Sequence, residues 1–189
     1  KKHTVLVLNR IFSIKYNCTI IPESDNKFAL PYGIEYFPNY NIITQGIPSP
    51  DIVFSRYVLS HMSENDVISL HKKMKMELKK GTIVIHFISP SDLRQHGDNT
   101  ISLQEFLKYS ALEWDKIHTK FDYHNRLRLP QFLEIFTTCG LEVVHLEYES
   151  TKSGTKLYDL FKKVKLHSDY MRYSDEQLTA GNIIVVIKV

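Results

Sequence analysis

Apolar runs rich in Val and Ile alternate along this chain with segments that carry helix caps, and this alternation restricts the fold more than any other feature. The strongest run, Thr82–Ile88, lies between Gly81 and Pro90. Such continuous runs are typical of strands covered on both faces, as in a parallel sheet. Strands that alternate with helices predict an α/β fold. The other predicted strands are Thr4–Leu8, Asn41–Gln45, Ile52–Ser55, Leu141–Tyr148 and Asn182–Val189.

Capping residues mark the predicted helices. Ser63 can cap a helix over about residues 64–79, and Gly81 marks its end. Pro130 favours the start of another helix, which Gly140 ends. Three more pairs have the spacing of a capping box, namely Ser102 with Glu105, Ser110 with Glu113, and Ser174 with Gln177. A further apolar stripe of helical spacing consists of Leu157, Leu160, Phe161 and Val164.

Two segments fall outside this alternation. Residues 16–50 contain many Tyr, Pro and Asn residues and are predicted to be irregular. Residues 89–128 form a long insertion between two predicted strands. Because insertions at strand ends often build ligand sites, this one is a candidate part of a functional site.

Composition limits the class of protein. The 189 residues fit a single domain, and 43% hydrophobic with 24% charged residues is globular composition. The net charge of +3 does not predict binding to nucleic acid, because Lys and Arg are interleaved with acidic residues. No apolar run approaches the roughly 18 residues of a membrane span. Only two cysteines, Cys18 and Cys139, are present, which favours a reduced, cytoplasmic setting over a disulfide scaffold.

One block carries a family resemblance. Residues Asp51–His61 read DIVFSRYVLSH, an Asp followed by apolar residues, a small residue and an L-x-H ending. The block resembles the fourth-strand motif of class I S-adenosylmethionine-dependent methyltransferases. The next predicted helix ends in LKKG, where this family usually has L-K-P-G-G. Residues Thr82–Ile88 then correspond to the family's fifth strand.

Later blocks resemble a bacterial subgroup of methyltransferase-like proteins. An aspartate-containing segment at 91–98, an FLKYS segment at 106–110 with Trp114, and an NRLR segment at 125–128 follow one another in that order. Cys139–Val144 fits the entry to the family's sixth strand. Asn182–Val189 fits the seventh strand, which pairs antiparallel at the edge of the sheet.

The resemblance covers about residues 32–189 and implies a specific architecture. We expect a Rossmann-like, mostly parallel sheet with an antiparallel last strand and helices on both faces. The helical insertion of residues 89–128, after the fifth strand, is expected to lie over the active site.

The Gly-rich loop on which this family holds its cofactor has no counterpart in the sequence. The seven glycines are scattered, and no two of them lie within three residues of each other. Counting back from Asp51 matches Thr4–Leu8 to the family's second strand and places Asn9 where an acidic residue binds the ribose hydroxyls. We therefore expect the first strand and the glycine loop to precede Lys1, so that the N-terminal part of the fold is missing from this chain.

The resemblance implies S-adenosylmethionine as the cofactor, held by Asn9, Ser55, Arg56 and Tyr57. Ser55 is expected to contact the amino-acid part of the cofactor, and the ring of Tyr57 to face the sulfonium. The alternative for Tyr57 is the start of a packed helix. His61 is a candidate base, or a capping residue for the helix that follows Ser63.

Methyl transfer is an in-line displacement that often needs a base to remove a proton from the acceptor. The candidate catalytic residues are His61, Asp92 and His96. The alternative for the latter two is a polar loop whose aspartates bond to their own backbone. A metal site that combines Asp92, His96 and Asp98 with His86 and His124 lacks the tight spacing of a metal motif, and no metal is predicted.

The segment before the family's sixth strand is predicted to bind the acceptor through Tyr123, His124, Asn125, Arg126 and Arg128. The two arginines point the same way if the segment is extended, so they could clamp a carboxylate or phosphate. The alternative is a buried arginine that pairs with Asp92 or Asp98 and locks the insertion onto the domain. Phe106, Tyr109 and Trp114 are predicted to form the core of the insertion.

The predicted function is methyl transfer from S-adenosylmethionine to a small-molecule or glycan-type acceptor. One alternative is a catalytically inactive methyltransferase-like domain that acts in binding or as a scaffold, which the absent glycine loop and Asn9 favour. The other is a different Rossmann-like nucleotide-binding enzyme, which a parallel last strand would favour.

Overall fold

A computed structural model describes residues 21–24, 27–29, 35, 37, 39–118 and 123–189 of the chain. Its contacts divide the chain into two units, Lys1–Asn41 and Ile42–Val189. Every element of the candidate site belongs to the second unit.

In the first unit, strand β1 (Ile21–Ser24) pairs antiparallel with strand β2 (Lys27–Ala29). The prediction that residues 16–50 are irregular is therefore wrong for these two strands. Short runs without strict alternation carry little strand signal, which is why the sequence pattern missed them. The predicted strand Thr4–Leu8 lies outside the described residues.

Four strands form the sheet of the second unit. They are β3 (Ile52–Arg56), β4 (Ile83–Ile88), β5 (Glu142–Glu149) and β6 (Gly181–Lys188), and their order is β3-β4-β6-β5. β3 runs parallel to β4, whereas β6 runs antiparallel to both β4 and β5. The prediction of an α/β fold is confirmed, in the form of an open mixed sheet with helices.

The last strand is antiparallel, as expected, but its predicted place at the edge of the sheet is wrong. β6 lies between β4 and β5. Three of its side chains, Ile183, Val185 and Ile187, are fully buried. A strand this apolar is most stable where a neighbouring strand pairs with it on each side and helices bury one of its faces.

Two elements flank β3 in the sequence. Residues Ile42–Gln45 form a short helix, α1, where a weak strand over Asn41–Gln45 is predicted. Two neighbouring isoleucines are too short a pattern to distinguish the period of a helix from that of a strand. Helix α2 (Glu64–Glu77) begins as predicted, with the Ser63 hydroxyl accepting a hydrogen bond from the Asp66 backbone N–H at 3.1 Å.

The 89–128 insertion contains 3-10 turns at Leu93–His96 and Glu105–Lys108, followed by helix α3 (Ala111–Ile117). Ser110 forms the predicted capping box at the start of α3.

The other capping box predicted in the insertion is wrong. The hydroxyl of Ser102 donates to Oε1 of Gln104 and accepts from the backbone N–H of Gln104, rather than capping toward Glu105. The Ser102 hydroxyl makes its hydrogen bonds with the residue two positions on, whereas a capping box requires bonds with the residue three positions on.

Helix α4 (Leu129–Thr138) begins with Pro130 in its first turn, as predicted. Helices α2 and α4 pack on one face of the sheet, against the buried side chains of β4 and β6. Helices on both faces are expected, but within the described residues these two cover the same face. On the opposite face of the edge strand, Ile52 and Phe54 are 61% and 60% exposed.

The last part of the chain packs on the insertion. It contains α5 (Lys156–Phe161), a 3-10 turn at Ser168–Tyr170 and α6 (Asp175–Thr179), which has the predicted Ser174 capping box. A second buried cluster joins these elements to the insertion through Phe106, Leu107, Trp114, Phe161, Tyr170 and Leu178. Among the described residues, no helix has the length and apolar character needed to cross a membrane.

Candidate functional site

The backbone is strained where the parallel strand β3 ends. Tyr57 has a φ of +59°, in the left-handed region that bulky side chains rarely adopt. Its N–H donates to the carbonyl of Phe87 at 2.7 Å, which ties this conformation to the end of β4. The guanidinium of Arg56 lies 4.8 Å from the centre of the Tyr57 ring. Strain of this kind costs of order 1–3 kcal/mol and clusters at functional sites.

The turn after Tyr57 presents His61. The turn is tied to the next strand end because the Ser60 hydroxyl donates to the carbonyl of Ser89 at 2.8 Å. Nδ1 of His61 lies 3.2 Å from the carbonyl oxygen of Tyr123, which can only accept, so Nδ1 carries the proton. Nε2 of His61 is therefore the basic nitrogen. The imidazole ring lies 4.6 Å from that of His124.

Asn125 joins the predicted acceptor segment to this turn. Its side-chain amide donates to the carbonyls of Leu59 and Met62 at 2.6 and 2.8 Å, and its backbone N–H donates to the carbonyl of Ser60 at 2.8 Å. Its amide oxygen accepts from the N–H of Leu127. The side chain is thus committed to holding two loops together.

Arg126 is committed to the backbone of the insertion. It donates to the carbonyls of Phe106 and Tyr109, and its guanidinium lies between the rings of Trp114 and Tyr170 at 5.7 and 5.6 Å.

Arg128 is fully buried. Its side chain donates to the carbonyls of Arg126 and Leu178 and lies over the ring of Phe106 at 5.1 Å. Burial lowers the pKa of its guanidinium to about 10. The alternative of a buried arginine that locks the insertion fits this geometry, but its partners are carbonyls rather than the predicted Asp92 or Asp98.

Asp92 is 1% exposed and is paired with Arg94. The guanidinium of Arg94 donates from Nη2 at 2.6 Å and from Nε at 2.9 Å. The carboxylate also accepts from the N–H of Arg94 and so caps the 3-10 turn. The hydrogen bonds from its guanidinium to Asp92 raise the pKa of Arg94 above its usual value.

The other two candidate residues of this loop, His96 and Asp98, lie on exposed surface. His96 ends the 3-10 turn and is exposed. Asp98 accepts from the N–H and the hydroxyl of Thr100, and the hydroxyl is the main cause of its lowered pKa. Asp98 therefore fits the alternative of an aspartate that bonds to its own loop.

A cleft of about 370 Å³ opens beyond the carboxyl ends of β3 and β4. Arg94 lies over the ring of Trp114 at 5.1 Å, and the indole N–H of Trp114 donates to the carbonyl of His124. The cleft is lined by His61, Asp92, Leu93, Arg94, Trp114, Ile117, His118 and His124. Most of its wall therefore comes from the insertion.

Beside β3, a chain of hydrogen bonds connects the strand end to helix α2. Ser55 and His86 are cross-strand neighbours in β3 and β4, and the serine Oγ lies 2.7 Å from Nδ1 of His86. Nε2 of His86 lies 3.1 Å from Nε2 of His71, whose Nδ1 lies 2.7 Å from the carbonyl of Val67. Both imidazoles are fully buried. Burial lowers the pKa of His71 to about 4 and that of His86 to about 3.

The structure brings together part of the predicted site. His61, Asp92 and His124 line the cleft, with the carbonyl of Tyr123 on His61. Ser55, Arg56 and Tyr57 follow one another at the end of β3. Asn9, the predicted ribose ligand, lies outside the described residues.

Sequence reasoning missed several residues of the site. Arg94 and His118 were not proposed as part of it, although Arg94 follows Asp92 by two positions and His118 follows Trp114 by one helical turn. His71 lies on the apolar stripe of α2, four residues after Val67, and that position was the available signal.

Within the described part of the chain, no group of three or more His, Cys, Asp or Glu side chains is placed to hold a metal ion. No protein-family model matches this chain, and no curated protein matches it.

Proposed function

We propose that this chain is a methyltransferase-like domain that transfers a methyl group from S-adenosylmethionine to a small-molecule or glycan-type acceptor. The observation that carries the proposal is the cleft. Two distant blocks that resemble the methyltransferase pattern supply His61 and Asp92, and His124 directly precedes a third, NRLR; all three side chains line the cleft. Open α/β sheets bind their ligands beyond the carboxyl ends of the strands, which is where this cleft lies.

The strand order supports the same proposal. Doubly wound sheets commonly have the order 3-2-1-4-5-6 with parallel strands. If β3, β4 and β5 are the fourth, fifth and sixth strands, they keep that order and direction, and β6 is inserted antiparallel between the last two. An antiparallel last strand argues against the alternative of another Rossmann-like nucleotide-binding enzyme.

The residues at the end of β3 fit one end of the cofactor. When bound, S-adenosylmethionine supplies a methyl group on a positively charged sulfonium. The Tyr57 ring is 39% exposed, and an aromatic face attracts a cation such as a sulfonium. Ser55, two residues before Tyr57 near the end of β3, adds a polar oxygen. The sequence has no glycine loop, so these residues account for the sulfonium and amino-acid end of the cofactor alone.

His61 is the candidate base. Its Nε2 is the nitrogen free of the Tyr123 carbonyl and can take a proton from an acceptor hydroxyl bound in the cleft. Arg94, which lies over Trp114 at the wall of the cleft, can bind the acceptor. Asp92 fits a positioning role, because its buried carboxylate already holds Arg94.

A second candidate function is a binding or scaffold domain without catalysis. The observation that favours it is the commitment of the predicted acceptor segment to the fold. Asn125, Arg126 and Arg128 all donate to protein carbonyls rather than into the cleft.

The test is calorimetric titration of the chain with S-adenosylhomocysteine, the demethylated cofactor. Tyr57→Gly removes the ring and also relieves the positive φ, so we expect the variant to be as stable as the wild type but to bind at least about tenfold more weakly. The matched control is Asn182→Gly, at another residue of positive φ (+46°). It should leave binding unchanged.

Weaker binding by Tyr57→Gly alone supports the proposal. If the two variants bind S-adenosylhomocysteine equally well, Tyr57 is not part of the cofactor site. If the wild type does not bind, methyl transfer by this chain is excluded, and the binding or scaffold function becomes the better candidate.

A further inference from the structure

We infer that Ser55 offers its ligand only a hydrogen-bond acceptor, and that this ligand group is the α-ammonium of S-adenosylmethionine. His86 and His71 are positioning residues, because they hold the hydroxyl hydrogen of Ser55 and leave only the lone pairs of its oxygen for the ligand. The inference rests on the proposed function. It assigns a role to two buried histidines that neither the cleft nor the candidate base requires.

The direction of each hydrogen bond follows from the first one. The carbonyl of Val67 can only accept, so Nδ1 of His71, at 2.7 Å, carries the proton. A neutral His71 then has a bare Nε2, which must accept from Nε2–H of His86 at 3.1 Å. Nδ1 of His86 is therefore bare, and it accepts from the Ser55 hydroxyl at 2.7 Å.

This direction is locked by burial. His71 and His86 are 0% exposed, and the ring of Phe136 packs on both, at 4.7 and 6.0 Å. A second proton on either ring would place a charge in the apolar core, which is why burial lowers both pKa values far below the ordinary one. Both rings are therefore neutral at neutral pH, and each has a single possible tautomer.

A serine that donates to an imidazole is also the arrangement of a nucleophile, but this pair does not fit that role. An imidazolium formed on His86 would face the neutral ring of His71, whereas nucleophilic serines rely on a carboxylate behind the histidine. The lowered pKa of His86 makes it a weak base as well. The relay therefore orients the hydroxyl rather than activating it.

The consequence for the ligand is chemical selectivity. With its one hydroxyl hydrogen held by His86, the oxygen of Ser55, a half-buried residue, has only lone pairs to offer. A carboxylate has no hydrogen to donate and is disfavoured there, whereas an ammonium group donates and is favoured. Within the amino-acid part of the cofactor, this distinguishes the α-ammonium from the α-carboxylate.

The first experiment tests the relay without any ligand. Long-range ¹⁵N–¹H NMR of the histidine rings at pH 7 should show His86 protonated at Nε2 and His71 protonated at Nδ1. Both rings should remain neutral at pH 5. If His86 carries its proton on Nδ1, Ser55 must accept from it and is free to donate. That result would overturn the inference and leave the methyltransferase proposal standing.

The second experiment compares two ligands, S-adenosylhomocysteine and its analogue in which hydrogen replaces the α-amino group. Ser55→Ala should weaken binding of the first by at least about tenfold and leave binding of the second unchanged. Ser55→Thr, which keeps the hydroxyl, should retain the difference. His86→Phe should lose it, and His86→Asn, which keeps an acceptor near the position of Nδ1, should recover part of it.

The outcomes separate the two proposals. Equal losses for both ligands in Ser55→Ala would overturn the assignment of the α-ammonium while cofactor binding stands. No binding of either ligand to the wild type would overturn the proposed function and the ligand assignment together. If the histidine variants do not fold, the tautomers and the serine variants still decide the inference.

Discussion

Two buried imidazoles set an acid limit on the stability of this chain. In the unfolded chain both histidines titrate near the ordinary pKa of about 6.5, whereas burial lowers the pKa of His71 to about 4 and that of His86 to about 3. Between pH 6.5 and 4 the unfolded state therefore binds more protons. The free energy of unfolding should therefore be highest above pH 6.5. Below pH 6.5 it should fall by up to about 1.4 kcal/mol per pH unit for each of the two histidines.

Urea unfolding at pH 7, 6 and 5 measures this slope. His71→Gln should flatten it, since one of the two titrating groups is gone. His145→Gln replaces a histidine whose side chain is 56% exposed and should keep the wild-type slope. The same free energy of unfolding at pH 7 and pH 5 in the wild type would contradict the expectation.

Asn125 should matter for stability because it ties two loops. Asn125→Ala removes the amide group that donates to the carbonyls of Leu59 and Met62, which should cost about 2 kcal/mol in the free energy of unfolding. Asn99→Ala, at an exposed loop position, is the matched control and should change it by less than about 0.5 kcal/mol. Chemical denaturation measures both. If Asn125→Ala lowers the free energy of unfolding no more than Asn99→Ala does, the hydrogen bonds of Asn125 between the two loops do not stabilise the fold.

Residue type and spacing predicted the location of side chains near the cleft well. They predicted the roles of those side chains less well. His61, Asp92 and His124 were expected at one site and do line one cleft. The roles of Asn125 and Arg126 depend on which carbonyls the folded chain brings within reach, from residues 17 to 66 positions away. Polar residue types alone do not distinguish a bond to a ligand from a bond to the backbone.

At the scale of elements, the helix caps were the most predictable feature. Three of the four predicted serine caps, Ser63, Ser110 and Ser174, form as their spacing indicates, because a cap needs only the few residues around it; Ser102 is the exception. Helix α1 was predicted as a strand because its two isoleucines are too short a pattern to distinguish the period of a helix from that of a strand. Caps could thus be predicted from neighbouring residues, whereas short apolar runs did not show whether a segment is a helix or a strand.

The cap of α2 gives an element-scale prediction. Ser63→Ala removes the hydroxyl that accepts from the N–H of Asp66, and we expect a loss of about 1 kcal/mol in the free energy of unfolding. The matched control is Ser69→Ala, an exposed position inside the same helix. It should be neutral or slightly stabilising, since alanine favours helix interiors. Thermal and urea unfolding of both variants decide it, and equal effects would show that the cap contributes nothing.

At the scale of the whole sheet, strand content was predictable and strand position was not. The four strands of the second unit were all expected from their apolar runs, with bounds that differ by at most one residue. That β6 lies inside the sheet depends on pairing with β4 and β5 across long stretches of chain, for which the local pattern carries no signal. Continuous apolar runs likewise suggested cover on both faces, whereas β4 alternates between buried and half-buried side chains.

The two faces of this sheet should respond differently to the same substitution. Ile187→Val in β6 removes a methylene at a fully buried position and should lower the free energy of unfolding by about 1 kcal/mol. Ile52→Val in β3 makes the same change at a side chain that is 61% exposed, and it should change that free energy by less than about 0.5 kcal/mol. Urea unfolding at several protein concentrations measures both. If Ile52→Val costs as much as Ile187→Val, Ile52 is covered in solution; a loss that grows with concentration would identify the cover as a second copy of the chain, because only association depends on concentration.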